Sequence, residues 1–305
     1  MDNITAIIKL AETLNCHIKL NEPMRNHTTF KIGGNAQVFL NIDNINQLKA
    51  VISECQKLNV PYLVLGKGSN LLINDNGIEG VVINLDGDFK NIDVLDDHTL
   101  YCGSGVSLAK LCSKALSCNL SGLEFAWGIP GSVGGAAYMN AGAYGGEMKD
   151  VVMSVTHLTK DGKVETFKAD MLNFGYRHSI YKENGYIILG ITVQLKLDDP
   201  KLIRERMDDY MGRRKDKQPL EYPSAGSTFK RPEGFFAGKL IMDAGLSGFR
   251  VGDAAVSSKH CGFVVNMGNA TAKDVCELMK QVSQKVYNRY NVHLEPEVRI
   301  IGKSK

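Results

Sequence analysis

The chain has 305 residues, 44% of them apolar and 23% charged, the balance of a folded protein with two domains or three small ones. Its 36 basic and 33 acidic residues leave a formal charge of +3, spread along the chain, which argues against a nucleic-acid footprint but permits a local pocket for an anion. No apolar run approaches the ~20 residues of a membrane span. The opening MDNITAIIKLAETL lacks a basic segment followed by an unbroken apolar one, so a cytoplasmic protein without membrane attachment is expected.

In chain order, ITAIIKLAETL reads as an amphipathic helix and KIGGNAQVFLNI as a turn followed by a strand. Asn44 is placed to cap a helix with Ile45, Leu48, Ile52, Cys55 and Leu58 on one face. Val60–Leu65 reads as a buried strand running into Gly66-Lys67-Gly68-Ser69-Asn70-Leu71, and Val81–Leu85 as another, giving a small β-α-β lobe. A helix is expected over Val106–Ser117. Strands follow over Val151–Thr159 and Lys163–Lys168, joined by an Asp161-Gly162 turn, and over Tyr186–Lys196. Residues 198–219 are highly charged and read as a solvated connecting helix. Beyond Pro219 come a helix Phe236–Ala244, a strand His260–Met267, a helix after Thr271 and a final strand His293–Ile301.

Seven cysteines with no CxxC, and histidines with no HExxH, argue against a disulfide framework and a thiolate zinc site, so no metal is expected. Glycine is the outlier. Eight of 31 fall between Gly122 and Gly146, where an even spread would place two or three. Glycine serves where backbone takes positive φ or approaches another group closely, and this density suggests backbone around a ligand. G-x-G-x-x-G fails at Gly66, where Leu71 follows, and at Gly103, where Leu108 follows. The P-loop pattern fails as well, because Gly302-Lys303-Ser304 has Glu297 in place of its first glycine. What remains is a non-Rossmann site for a phosphate or pyrophosphate, built from backbone N–H groups and a helix N-terminus.

Four stretches hold polar residues that local structure does not require. They are Tyr176-Arg177-His178-Ser179, Ser224–Lys230, Ser258-Lys259-His260 and Leu294–Arg299. Together they offer an arginine for a carboxylate, a hydroxyl proton donor and an orienting carboxylate.

These segments resemble the UDP-N-acetylenolpyruvoylglucosamine reductase family, flavoenzymes of bacterial cell-wall precursor synthesis. The matching pieces are Asn26–Gly34, Gly66–Leu71, Gly128-Ile129-Pro130-Gly131-Ser132-Val133-Gly134-Gly135, Asn140–Gly145, Ala225-Gly226-Ser227-x-Phe229-Lys230 and Leu294–Arg299. They occur in the family's order over about residues 20–302. The resemblance implies an α+β fold: a two-lobed FAD-binding domain of the vanillyl-alcohol-oxidase/PCMH type plus a C-terminal α/β substrate domain. The bounds it suggests are 1–30 for the N-terminal helix and lead-in, 31–197 for the FAD domain (lobes about 31–85 and 86–197), 198–292 for the substrate domain and 293–305 for a terminal strand. It implies non-covalent FAD, NADPH as hydride donor, and reduction of UDP-N-acetylglucosamine enolpyruvate to UDP-N-acetylmuramate.

By the same resemblance, Gly66, Lys67, Gly68, Ser69, Asn70 and Leu71 cradle the FAD diphosphate together with Gly128, Ile129, Pro130, Gly131, Ser132, Val133, Gly134, Gly135 and Ala136. Ser227 corresponds to the proton donor, Arg177 and Glu297 to the other two active-site residues, and Lys230 to a substrate contact. No nucleic acid, membrane or obligate protein partner is implied. One type of this family carries an inserted loop whose tyrosine closes over the substrate. The stretch from Arg177 to Lys196 is too short for it, so the chain resembles the shorter type. Alternatives are a PCMH-type flavin oxidase or dehydrogenase of another substrate, and a non-catalytic nucleotide-binding protein.

Overall fold

The computed structural model describes residues 2–302. Lys303 and Ser304 of the rejected P-loop segment, and the last three residues of the terminal unit expected over 293–305, lie outside them. The chain folds into two compact units and passes from one to the other at Lys19/Leu20, Gln37/Val38, Lys67/Gly68, Glu79/Gly80 and Arg214/Lys215. The last passage falls inside the helix Pro200–Lys217, whereas the sequence reading set its boundary at residue 198. The chain also enters the second unit twice early, so Phe30, Ile32 and Leu72 pack with residues of the C-terminal third.

The first unit begins with the helix Asn3–Thr13. Asn44 caps the helix Ile45–Lys57 by accepting from the amides of Asn46 and Gln47 at 3.1 and 3.0 Å. Ile7, Ala11, Leu48, Val51 and Cys55 from these two helices are fully buried with Val38, Leu40, Val81 and Ile83 of the neighbouring sheet. Within the first unit that sheet sets residues 38–42, 80–85 and the strand Tyr62–Leu65 side by side in this order, the last pair parallel.

A five-stranded antiparallel sheet follows in the same unit, in the order Val164–Lys168, Val152–Leu158, Ile187–Gln194, Thr99–Gly103, Ile92–Val94. Its Asp161-Gly162 hairpin forms as expected, with Leu158 opposite Val164 and Gly162 at φ +80°. The helices Leu108–Ser117 and Val133–Met139 share its core through Leu108, Leu111, Val133 and Ala137. The charged helix is less solvated than its composition suggests. Arg206 holds the buried Glu124 through Nε at 3.0 Å and Nη2 at 2.8 Å, and Arg214 is buried. Burial pushes the Glu124 carboxyl up, but hydrogen bonds from its own amide, Arg206, Gly122 and Ser121 hold it below the usual range.

In the second unit the four-stranded sheet has the order Ser224–Ser227, Phe263–Asn266, Ala254–Val256, Arg250–Val251. The helix Ala272–Tyr290 lays Val275, Leu278, Val282 and Val286 into its core, and a reciprocal Thr271–Asp274 box caps it. The expected strand His293–Ile301 is shorter than the sequence suggests. Only Arg299–Ile301 is a strand, pairing in parallel with Leu71–Ile73. The preceding stretch carries Pro296, which has no N–H to give a ladder, and it pairs irregularly with residues 228–230.

Candidate active site

The strand Tyr62–Leu65 delivers the chain into the loop Gly66–Asn70. Within the first unit, a Cβ at Gly66 would lie 2.3 Å from Ser132 Oγ, so glycine lets the two glycine-rich segments touch. Gly68 takes φ +59°, and a Cβ there would lie 2.2 Å from the His27 carbonyl oxygen. Among the described residues, the amides of Lys67, Gly68 and Ser69 donate to no backbone carbonyl. Lys67 is exposed, Ser69 half-buried and Gly68 buried, and N–H groups left unbonded in such a loop fit the oxygens of a diphosphate.

The segment Gly128–Ala136 differs in this respect. The amides of Ile129, Gly131, Val133, Gly134 and Ala136 donate to the carbonyls of Ala126, Ile129, Val106, Ser104 and Ser132 at 2.8–3.0 Å. Gly135 donates to Ser132 Oγ at 3.3 Å, and Pro130 has no N–H. Only Gly128 and Ser132 keep an amide outside this set, so the segment is a fixed wall more than a nest of donors. A Cβ at Gly134 would lie 2.7 Å from Ser104 Cβ. Ser104 is itself buried, and its Oγ has no hydrogen-bond partner among the described residues. An orphaned hydroxyl beside a glycine wall fits a polar cofactor group there.

Arg177 lies in the same unit. Gly175 and His178 exchange two backbone hydrogen bonds at 3.1 Å, closing a two-residue turn with Tyr176 and Arg177 at its tip. Arg177 takes φ +54°, a left-handed conformation unfavourable for a side chain with a Cβ. Its guanidinium lies 5.2 Å from the Tyr176 ring centroid. The turn is tied to the end of the helix Val133–Met139, because Ser179 Oγ donates to Tyr138 O at 2.7 Å and Asn140 Nδ2 to Gly175 O at 3.0 Å.

The second unit brings together Ser227, Lys230, Glu297 and the end of the phosphate-type loop. Ser227 ends the strand Ser224–Ser227, whose register shifts before it is met by Phe263. This bulge contains Gly226 at φ +76° and leaves Ser227 exposed. The next residues are held from both sides. Thr228 N donates to Gly262 O at 2.9 Å and Thr228 Oγ1 accepts from Val264 N at 2.9 Å. The amides of Glu297 and Lys230 donate to Thr228 O and Glu295 O, both at 2.8 Å. Asn70 Nδ2 reaches Glu297 O at 3.2 Å, and Arg299 N donates to Asn70 O at 3.0 Å. Thr29 joins the same assembly, with Oγ1 on Ser224 O at 2.7 Å. Lys230 Nζ is ion-paired with Glu295.

Three comparisons with known proteins bear on this arrangement. Residues 36–168 match the family model "FAD binding domain", and residues 218–301 match "UDP-N-acetylenolpyruvoylglucosamine reductase, C-terminal domain". The chain is 48% identical over 285 residues to the UDP-N-acetylenolpyruvoylglucosamine reductase of Syntrophomonas wolfei, covering 93% of this chain and 95% of that one. It is 50% identical over 288 residues to the enzyme of that name from Lachnoclostridium phytofermentans, covering 93% of each. The chain belongs to the UDP-N-acetylenolpyruvoylglucosamine reductase family.

The crystal structure of the family member from Thermus caldophilus superposes with a TM-score of 0.81 at 38% identity, covering 93% of this chain and 98% of that one. The fold is therefore the mixed α/β one that the sequence suggested, an FAD-binding domain of the vanillyl-alcohol-oxidase/PCMH type with the reductase family's C-terminal domain. Among the described residues no helix is long and apolar enough to cross a membrane. Sequence reasoning gave roles to Arg177 and Ser227 but quoted Asn140, Ser179 and Thr228, which hold their backbone, only as members of their runs. Burial of these three polar side chains is visible only in the structure.

Proposed function

We propose that Ser227, Arg177 and Glu297 carry out the family reaction in this chain, with Lys230 as a substrate contact and Gly66–Leu71 and Gly128–Ala136 holding FAD. The activity is that of a UDP-N-acetylmuramate dehydrogenase, an NADPH-using FAD oxidoreductase of peptidoglycan precursor synthesis. It converts UDP-N-acetylglucosamine enolpyruvate to UDP-N-acetylmuramate, and the cytoplasmic location read from the sequence suits that role. Bound FAD supplies the hydride that NADPH provides and the enolpyruvyl group accepts.

The chain's own residues do the rest. The planar Arg177 fork pairs with the enolpyruvyl carboxylate as negative charge builds there. Ser227 gives its hydroxyl proton to C2, and Glu297 holds the carboxylate region or a water in place. Lys230 reaches the substrate by sharing or exchanging its pair with Glu295. The lysine, arginine and hydroxyl groups suit an anionic sugar nucleotide, and residues 198–292 supply its domain. Membership of the shorter type is supported by the helix Tyr181–Asn184 and the strand Ile187–Gln194, which take up most of residues 181–194.

The observation that carries this reading is the main-chain pairing of Thr228–Lys230 with Glu295–Val298, which sets the proposed serine and glutamate on adjacent segments. The test is anaerobic. NADPH should bleach the flavin of the purified yellow protein, and UDP-N-acetylglucosamine enolpyruvate should restore its colour. A flavin that is bleached but not restored by this sugar would defeat the assignment.

A further inference from the structure

Asn140 ends the helix Val133–Met139 in a left-handed conformation, φ 43° and ψ 56°, and its side chain is completely buried. Every polar atom of its carboxamide is used. Oδ1 accepts from Lys149 N at 2.9 Å, and Nδ2 donates to Glu147 Oε2 at 2.7 Å and to Gly175 O at 3.0 Å. The Lys149 amide can only donate, so it fixes which end of the carboxamide carries the oxygen. The NH2 end must then face both a carboxylate and a carbonyl. Aspartate has the same shape but would point an oxygen at each of them.

The bond to Gly175 has a particular consequence. Gly175 opens the two-residue turn that carries Arg177, and Arg177 holds an unfavourable positive φ at its tip. Such a conformation persists only when its surroundings over-determine it. Beside the Ile180 N–Leu172 O bond at 2.9 Å, two constraints come from one short segment, Tyr138 O accepting from Ser179 Oγ and Asn140 Nδ2 donating to Gly175 O. The same segment continues the glycine-rich stretch proposed to lie against FAD.

We propose that Asn140 is a positioning residue for Arg177: its carboxamide, bonded to Gly175 O, sets where the guanidinium stands when the enolpyruvyl carboxylate arrives. This rests on the role assigned to Arg177 above. Asn140 touches neither substrate nor cofactor in this account and acts only through the turn.

The test uses the FAD-loaded enzyme and reads its two half-reactions separately by stopped-flow absorbance. Asn140→Gly keeps the left-handed backbone accessible and removes the carboxamide. Flavin reduction by NADPH should stay within about 2-fold of wild type, because Arg177 has no part in it. Reoxidation by the enolpyruvyl sugar should slow by about 10- to 100-fold, the range for a misplaced positioning group. In an Arg177→Ala background the same substitution should cost less than about 2-fold, since residues acting as one unit are not additive.

A second variant guards against simple loss of packing. Asn140→Asp combined with Glu147→Gln restores a donor–acceptor pair between positions 140 and 147 but still sets an oxygen against Gly175 O. Its thermal midpoint and FAD content should be close to wild type while reoxidation remains slow. If Arg177→Ala alone leaves reoxidation intact, the role of Arg177 fails, and this proposal falls with it. If Arg177→Ala is impaired but Asn140→Gly slows reoxidation equally in both backgrounds, the proposal alone is overturned. Recovery of reoxidation in the paired variant overturns it too, as does loss of folding or FAD in both variants, because Asn140 would then be purely structural.

Discussion

The two units solve one problem in different ways. Each must present a polar side chain that the inward face of a regular strand or helix would turn into the core. The first unit places Arg177 in a two-residue turn at φ +54°, and its ties to the end of the helix Val133–Met139 run through two side chains, Asn140 and Ser179. The second places Ser227 at a bulge containing Gly226, and the residues beside it are held mainly by backbone amides and carbonyls of Gly262, Glu295 and Glu297. A position fixed by side chains can be lost by a point substitution, whereas one fixed by main chain survives changes nearby. Substitutions around Ser227 should therefore report chemistry, and substitutions around Arg177 should mix chemistry with geometry.

The largest effect is expected at Ser227. Ser227→Ala should leave flavin reduction by NADPH almost intact and slow turnover of the enolpyruvyl sugar by about 10²–10⁴-fold, the contribution of one general acid. Because Ser227 is exposed and its neighbours are held by backbone, the thermal midpoint should not move. A variant equally slow in the NADPH step would make Ser227 a binding or structural residue.

Arg177 comes next. Arg177→Lys should impair reoxidation nearly as much as Arg177→Ala, each by about 10²-fold, because lysine keeps the charge but loses the planar fork for a carboxylate. Neither change relieves the positive φ, so stability should be alike in the two variants. Turnover near wild type in the lysine variant would show that charge alone suffices and that the fork has no role.

The same contrast explains what the sequence made legible. The helix cap at Asn44, the Asp161-Gly162 hairpin and the apolar faces of the long helices are local patterns, and the structure has them. The family motifs pointed to Ser227, Arg177 and Glu297 because their residue types sit in short contiguous runs. What stayed hidden was non-local. Phe30 and Leu72 pack with the C-terminal third because the chain enters the second unit early, and no composition change marks those passages. The stretch before Arg299 alternates well enough to read as strand, but Pro296 and its irregular partner at Phe229 prevent a ladder. Asn140 looked like one polar residue in a glycine-rich run until its burial and three hydrogen bonds were known.

The glycine wall allows the ligand role to be separated from the packing role. Gly134→Ala should destabilise the fold by about 1–3 kcal/mol, because the new methyl meets the buried Ser104 Cβ at 2.7 Å in a packed core. At Gly131 an added Cβ meets Leu108 Cδ1 at 3.4 Å and Ile129 Cγ2 at 3.9 Å, both ordinary contacts. Gly131→Val should thus leave the thermal midpoint of the flavin-free protein near wild type while lowering FAD retention on dialysis. Full retention in that variant would remove Gly131 from the cofactor site. Equal midpoints for Gly134→Ala and wild type would show that the Ser104 loop yields more easily than its packing implies.

The smallest effect separates the units by pH. His157 is fully buried in the first unit, with Nδ1 bonded to Tyr181 OH at 2.9 Å and its ring 4.3 Å from Phe167 and 5.0 Å from Tyr186. Burial pushes its pKa below the usual 6.5, against smaller upward pulls from the Val155 backbone and Glu165. The unfolded chain therefore binds this proton more readily than the folded one. The His157 contribution is complete above about pH 6.5, and it is lost as pH falls from there toward the lower folded value. One such group changes stability by at most about 1.4 kcal/mol per pH unit. His260 in the second unit is pushed the same way by burial, so wild type should weaken with acid through both. His157→Gln should be less stable at pH 7.5 by about 1 kcal/mol for the lost Tyr181 bond. Between pH 6.5 and 5 its stability should fall less steeply than that of wild type, and a His157→Gln, His260→Gln pair should be flatter still. Urea midpoints at half-unit pH intervals measure this, and parallel curves for wild type and His157→Gln would mean that His157 takes up its proton without unfolding cost.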